Sequence, residues 1–294
     1  VKIIRRPAFG LALSGGAARG LAHIGVLKVL EREGILIDCL SGTSMGGVVA
    51  AFYGAGYSAD DMQHEALRMG RLKEMIRLVD IRAAERGLLA GEKVRRYLSE
   101  QLGELTFADL RLPVVLNAVD VVRGCEVVLR SGLVADAVRA TISVPAIFDP
   151  LELEGRFLVD GGVLNNLPAN HLRSIGAEVI LAVDVSVASA VKRRIQAQGE
   201  PSARGQVLMS AEAVMMSALA DVQLQAARPD LIIYPEIPEE INALNGFTRA
   251  AETIRAGEEA AERALPTLQA LLRPGLRWPR EVVAPGDLEN VAWG

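Results

Sequence analysis

Gly42-Thr43-Ser44-Met45-Gly46 follows the apolar run Ile35-Leu36-Ile37-Asp38-Cys39-Leu40 and precedes the small-residue run Gly47-Val48-Val49-Ala50-Ala51. An apolar run of strand length, a serine set between glycines and a helix-compatible stretch together predict a strand that turns sharply into a helix. Such a turn lifts the serine hydroxyl out of the fold, where a substrate can reach it, and leaves no room for side chains at the flanking positions. Ser44 is therefore a candidate nucleophile, with Gly42, Met45 and Gly46 as its supporting residues. The pentapeptide alone is also compatible with a glycine-rich turn that happens to carry a serine.

The preceding residues give the first half of the same pattern. Ala8-Phe9-Gly10-Leu11-Ala12-Leu13 reads as a strand and Ser14-Gly15-Gly16-Ala17-Ala18-Arg19-Gly20 as a loop. Leu21, Ile24, Leu27 and Leu30 then recur at helical spacing up to Gly34, a stop signal. Strand, helix, strand (residues 35–40) and helix (to about Gly54) in this order imply parallel strands joined by right-handed crossovers. Residues 58–103 read as helical, opened by Ser58 with Asp61 three positions on, and Gly91 to Leu102 carries Val94, Tyr97, Leu98 and Leu102 on one stripe. Strands are predicted over Val114–Val122, Glu126–Leu129, Phe157–Val159, Val179–Val185 and Leu231–Tyr234. Helices are predicted over Leu133–Thr141, Ala169–Ile175, Gln206–Ala226 and residues 245–272. Met209, Met215 and Met216 read as core filler in the long helix, and residues 189–206 as a mobile loop. Without an internal repeat or linker, a single domain over residues 8–272 is expected, between a short extension (1–7) and a tail (273–294).

Composition narrows the class. Half of the 294 residues are hydrophobic and 23% are charged, enough for a sizeable core and too apolar for a disordered chain. A net charge of −4 gives no case for nucleic acid as a partner. Cys39 and Cys125 lie far apart in apolar runs and read as buried thiols rather than a disulfide or zinc site. No apolar run approaches the ~18 residues of a membrane span, and Val1-Lys2-Ile3-Ile4-Arg5-Arg6-Pro7 lacks the apolar stretch of a signal peptide. From Met62 to Arg96 nine Lys/Arg face five Asp/Glu. This basic segment is either a contact for an anionic membrane surface or a solvated helix face. A cytoplasmic chain that touches membranes transiently is expected, with its oligomeric state open.

A serine hydroxyl needs a partner to take its proton. The chain has only His23, His64 and His171; an α/β-hydrolase places its histidine late in the chain, whereas His171 lies only eleven residues past Asp160 inside a predicted helix, which speaks against a Ser-His-Asp triad. A carboxylate acting directly as base is the alternative. Asp160 ends the run Phe157-Leu158-Val159, as a residue at the mouth of a parallel sheet would, and Gly161 and Gly162 let a backbone or substrate approach it. Asp-Gly-Gly is also an ordinary turn sequence. Gly15 and Gly16, between a strand and a helix, offer N–H groups that beside a nucleophile would form an oxyanion hole. A dinucleotide-binding loop fits less well, because Gly15, Gly16 and Gly20 are mis-spaced and no acidic residue ends the second strand.

Gly15-Gly16-Ala17-Ala18-Arg19-Gly20, Gly42-Thr43-Ser44-Met45-Gly46 about 25 residues later and Asp160-Gly161-Gly162 some 115 residues beyond resemble, in order and spacing, the patatin-like phospholipase family. Leu21-Ala22-His23-Ile24-Gly25-Val26-Leu27, Arg139-Ala140-Thr141-Ile142-Ser143-Val144-Pro145-Ala146-Ile147-Phe148 and Val163-Leu164-Asn165-Asn166-Leu167-Pro168 extend the likeness, which spans about residues 8–186. The resemblance implies a three-layer α/β/α fold with a mainly parallel central sheet and a serine acyl hydrolase of lipid esters. It implies a Ser-Asp dyad with Ser44 as nucleophile, Asp160 as base, and Gly15, Gly16 and Ala17 on the oxyanion loop. By the same resemblance Arg19 orders that loop, His23 is structural, and neither metal nor cofactor takes part. Ala17 departs from the family, in which many members carry a third glycine, and an alanine there costs little if its φ is negative. The competing reading is a patatin-fold regulatory or lipid-binding protein with little turnover.

Overall fold

The computed structural model describes residues 6–71, 74, 79–80, 87–186, 204–238, 240–241 and 245–274. Among the described residues eight strands form one sheet: β1 (Phe9–Leu13), β2 (Cys39–Gly42), β3 (Val114–Asp120), β4 (Cys125–Leu129), β5 (Leu151–Leu153), β6 (Arg156–Asp160), β7 (Val179–Val183) and β8 (Leu231–Ile233). Their hydrogen-bonded order is β5-β6-β3-β2-β1-β7-β8, with β4 also paired to β3. The helices are α1 (Ala22–Arg32), α2 (Met45–Ala55), α3 (Ala59–Met69), α4 (Glu92–Leu102), α5 (Val134–Thr141), α6 (Ala169–Ser174), α7 (Arg204–Ala227) and α8 (Ala250–Leu271).

Side-chain alternation along β1 divides the molecule into layers. Phe9, Leu11 and Leu13 enter the larger core, with buried residues of α1, α2, α3, α4, α5 and α8. Ala12 faces the other way, into a smaller cluster with Cys39, Leu167, Ala169, Leu172 and Ile180, beneath α6 and α7. The chain is thus a sheet between two helical layers, as parallel crossovers require. The expected parallel centre is present: β2, β1, β7 and β8 run parallel to their neighbours, and β2 runs parallel to β3.

Beyond β3 the sheet reverses. β4 and β6 pair with it antiparallel, and β5 pairs antiparallel with β6. Asp160 therefore lies at the end of an antiparallel strand, not at the mouth of a parallel one. Periodicity reports a strand but not the direction of its neighbour. The register explains why this matters. β4 covers one edge of β3 from Leu116 to Asp120. β2 and β6 consequently share the other edge, where β2 ends with Gly42 opposite Leu116 and β6 ends with Asp160 opposite Ala118. The C-terminal ends of the two strands meet head to head.

Other expectations shift in detail. Residues 35–38 lie outside β2, and the Asp38 side chain there accepts from Arg6 and from the Phe9 N–H. The capping box of Ser58 and Asp61 opens α3. The 58–103 segment is not continuously helical, since Leu89 forms a β-bridge with Phe148. Cys39 is buried but Cys125 is exposed, at the start of the β4 hairpin arm. Met215 is also solvent-exposed at 67%, so it is not core filler. In the loop expected at 189–206, residues 189–203 lie outside the described residues and α7 already begins at Arg204. Most of the expected tail, 275–294, is likewise outside them.

α8 lies against α1 at a distance set by two glycines. A Cβ on Gly25 would collide with the Ile254 carbonyl oxygen, and one on Gly257 with the Ala22 carbonyl oxygen. Overpacking of this kind typically costs about 1–3 kcal/mol. Gly25→Ala and Gly257→Ala should each lower unfolding stability by at least that amount in a denaturant titration, because the obstruction is backbone and cannot rotate away.

Candidate active site

Ser44 caps the N-terminus of α2 with φ 53 and ψ −125, a conformation that non-glycine residues rarely adopt. Strain of this order costs about 1–3 kcal/mol and persists only where neighbours fix the chain. They do so here from several sides. The Thr43 N–H donates to the Leu13 carbonyl at 3.1 Å, and the Thr43 hydroxyl to Asn117 Oδ1 at 2.7 Å and the Asn165 carbonyl at 3.0 Å. The Ser44 N–H donates to Thr141 Oγ1 at 2.9 Å, and the Ser44 carbonyl accepts the Val48 N–H at 3.0 Å. Gly46 allows the approach of β1, since a side chain there would strike the Leu13 and Ser14 carbonyls. Gly42 and Gly46 pack directly on one another, and Gly20 packs on the Met45 side chain.

Asp160 reaches this turn from β6. Its N–H donates to the Ser143 carbonyl at 2.9 Å, and its Oδ1 accepts the Gly162 N–H at 2.7 Å. Gly161 fits closely against Asn117. Asp160 is 6% exposed as a residue, and the neighbouring Ser44 side chain favours its charged form. Burial raises its pKa to about 6, against the opposing pull of the Ser44 side chain and the Gly162 N–H.

The glycine loop lies on the other side of Ser44. A Cβ on Gly15 would stand 3.1 Å from the Ser44 Cβ. The Gly15 N–H is committed to the Asn166 carbonyl at 3.0 Å, which leaves the N–H groups of Gly16, Ala17 and Ala18 as the loop donors without a backbone partner. Arg19 is buried and donates from Nε to the Val185 carbonyl at 3.1 Å, tying the loop to the end of β7. Ala17 sits at φ 48, in the left-handed region, so the condition for a cheap alanine is not met.

No histidine is hydrogen-bonded to Ser44 among the described residues. His23 is buried with Nε2 2.8 Å from the Ser14 carbonyl, and burial lowers its pKa to about 4. His64 is exposed on α3. His171 Nε2 lies 2.9 Å from Glu126 Oε1. That carboxylate also accepts from Asn117 and Asn165, both at 2.9 Å. Burial opposes its ionisation, and the hydrogen bonds from His171, Asn117 and Asn165 more than offset this and lower its pKa. This polar cluster supports the Thr43 and Gly161 turns from behind. Thr43, Asn117, Glu126, Thr141 and Ser143 received no role from sequence reasoning, since each acts through a tertiary contact.

Among the described residues no group of three or more His, Cys, Asp or Glu side chains is placed to hold a metal ion. No helix among them is long and apolar enough to cross a membrane. In the basic segment, Arg68 pairs with Glu65 and Glu74, and Arg95 with Asp136 at 2.9 Å. Arg71 and Arg96 are exposed, while residues 73, 77, 82 and 86 lie outside the described set.

The raised pKa of Asp160 has a thermodynamic consequence. Between about pH 4 and pH 6 the folded chain retains a proton that the unfolded chain has released, so stability falls as pH rises through that window. The shift corresponds to roughly 3 kcal/mol. Asp160→Asn should remove this pH-dependent loss and unfold at a higher temperature than wild type at pH 8, with the difference shrinking toward pH 4.

The Patatin-like phospholipase family model matches residues 11–173, more than half of the chain. An uncharacterised NTE family protein of Mycobacterium tuberculosis is 34% identical over 180 residues, covering 61% of this chain and 49% of the relative. Lysophospholipase nte1 of Aspergillus fumigatus is 35% identical over 180 residues, covering 60% of this chain and 12% of the relative. The chain thus spans about half the length of the mycobacterial relative and a small part of the fungal one. Among solved structures, VipD from Legionella pneumophila shares the fold, with a TM-score of 0.52 at 13% identity over 90% of this chain and 67% of that one. With the family model seated over β1, the serine turn and the Asp160 turn, the chain belongs to the patatin-like phospholipase family.

Proposed function

We propose that this chain is a serine acyl hydrolase of lipid esters in which Ser44 is the nucleophile and Asp160 the general base. The observation that carries the reading is the convergence of a strained, buried serine on a buried carboxylate with a pKa of about 6. A base poised near the working pH is mostly ionised at neutrality yet basic enough to accept a hydroxyl proton. The family match and the lysophospholipase name of the fungal relative support an ester of a phospholipid or lysophospholipid as substrate. Exposed Val163, three residues beyond Asp160, and exposed Ile147, in the loop following Ser143, offer apolar surface suited to an acyl chain.

In the first half-reaction Ser44 Oγ attacks the ester carbonyl carbon as Asp160 takes its proton. Charge gathers on the carbonyl oxygen, where the N–H groups of Gly16 and Ala17 are the donors this reading assigns to the oxyanion hole. One such donor is typically worth about 3 kcal/mol. Collapse breaks the ester C–O bond, and the leaving alkoxide takes the proton from Asp160. In the second half Asp160 accepts a proton from water, which attacks the acyl-serine, and returns it to Ser44 as the free acid departs.

Ser44→Ala and Asp160→Asn should each lower kcat for lysophosphatidylcholine or p-nitrophenyl butyrate by more than about 1000-fold, with circular dichroism unchanged. Wild-type kcat/KM should fall below a limb near pH 6, where Asp160 protonates. Hydrolysis at wild-type rate in either variant would remove the dyad assignment.

A further inference from the structure

The last turn of α5 and the two residues after it touch both members of the dyad. Thr141 is fully buried, and its Oγ1 accepts the Ser44 N–H at 2.9 Å. Two residues later, the Ser143 carbonyl accepts the Asp160 N–H at 2.9 Å. The segment between them is itself anchored. The Ser143 hydroxyl donates to the Arg139 carbonyl at 2.9 Å, and Arg139 Nη1 donates to Ser143 Oγ at 2.7 Å. Arg139 Nε donates to the Gly91 carbonyl, and Nη2 to the carbonyls of Ala90 and Asp149. A buried, multiply held turn thus supplies one acceptor to the main chain of the nucleophile and one to that of the base.

The two contacts differ in kind. The bond to Asp160 uses a carbonyl that every residue possesses. The bond to Ser44 uses a side-chain hydroxyl, and it binds the N–H of the residue with φ 53. At such a turn the N–H points away from the ladder of β2 and the helix of α2, so a side chain must satisfy it. Gly47 adds a steric reason for threonine: a Cβ there would come within 2.9 Å of Thr141 Cγ2, so the threonine methyl fills the space under α2.

We infer that Thr141 is a positioning residue, whose hydroxyl holds the Ser44 main chain in the strained conformation that aims Oγ at Asp160 and at the ester. The inference rests on the dyad reading above. Loss of the hydroxyl displaces the nucleophile relative to its base and its oxyanion donors, and small displacements of reacting groups cost up to about 100-fold in rate. Because Thr141 is held behind the turn, substrate affinity is spared.

The test is steady-state hydrolysis of p-nitrophenyl butyrate by the full chain, comparing Thr141→Ser and Thr141→Ala. Both lack the methyl and differ only in the hydroxyl, so the comparison survives if the isosteric Thr141→Val does not fold. Thr141→Ser should keep kcat within about threefold of wild type, and Thr141→Ala should lose roughly 10- to 100-fold, with KM unchanged and the limb near pH 6 in place. Equal kcat in the Ser and Ala variants, or a loss expressed mainly in KM, would overturn the inference while leaving the dyad standing. Ser44→Ala assayed alongside separates the two readings: if it hydrolyses the ester at wild-type rate, the dyad itself has failed.

Discussion

The site depends on the backbone of Ser44. A serine with φ 53 is costly, and its cost is offset by bonds from β1, from the polar cluster behind β3 and from the end of α5. None of these partners lies on its own strand or helix. The turn is therefore a product of the assembled fold, and the strain pins the hydroxyl at one height above the sheet. The close approach of Gly46 to β1 belongs to the same constraint: any side chain there would force the turn away from the loop that carries the proposed oxyanion donors.

A second constraint is electrostatic. Placing an ionised carboxylate on a residue only 6% exposed costs stability, and the Gly162 hydrogen bond and the neighbouring Ser44 side chain offset only part of that cost. The outcome is a pKa near 6, suited to proton transfer at neutral pH. The reversal of the sheet beyond β3 makes the arrangement possible. In a wholly parallel sheet β2 and its neighbour would present their C-terminal ends side by side. Here β2 and β6 approach end to end along one edge of β3, so the residues that follow one strand meet the last residue of the other.

Much of this could be read from the chain. The serine between glycines, the helical stripe from Leu21 to Leu30 and the apolar run that ends in Asp160 are local signals, and each lies where its element was expected. What escaped reading was nonlocal. The direction of β6 depends on the strand it pairs with, which periodicity does not encode. The φ of Ala17 follows from how the loop is tied to Val185 and Asn166, not from its own sequence. Cys125 and Met215 look like core residues by type, yet one opens an edge-strand hairpin and the other faces solvent on α7. Thr141 lay within a stretch that resembles the family, but its bond to the Ser44 N–H bridges 97 residues and needed the fold to be seen.

The central claim is that Ser44 is an activated nucleophile. The most direct measurement is labelling with a fluorophosphonate probe, wild type beside Ser44→Ala, with the modified peptide located by mass spectrometry. The account predicts a single adduct on Ser44 in wild type, absent from the variant, formed faster as pH rises through about 6. Folded wild type that takes up no probe, or an adduct that persists in Ser44→Ala, would contradict it.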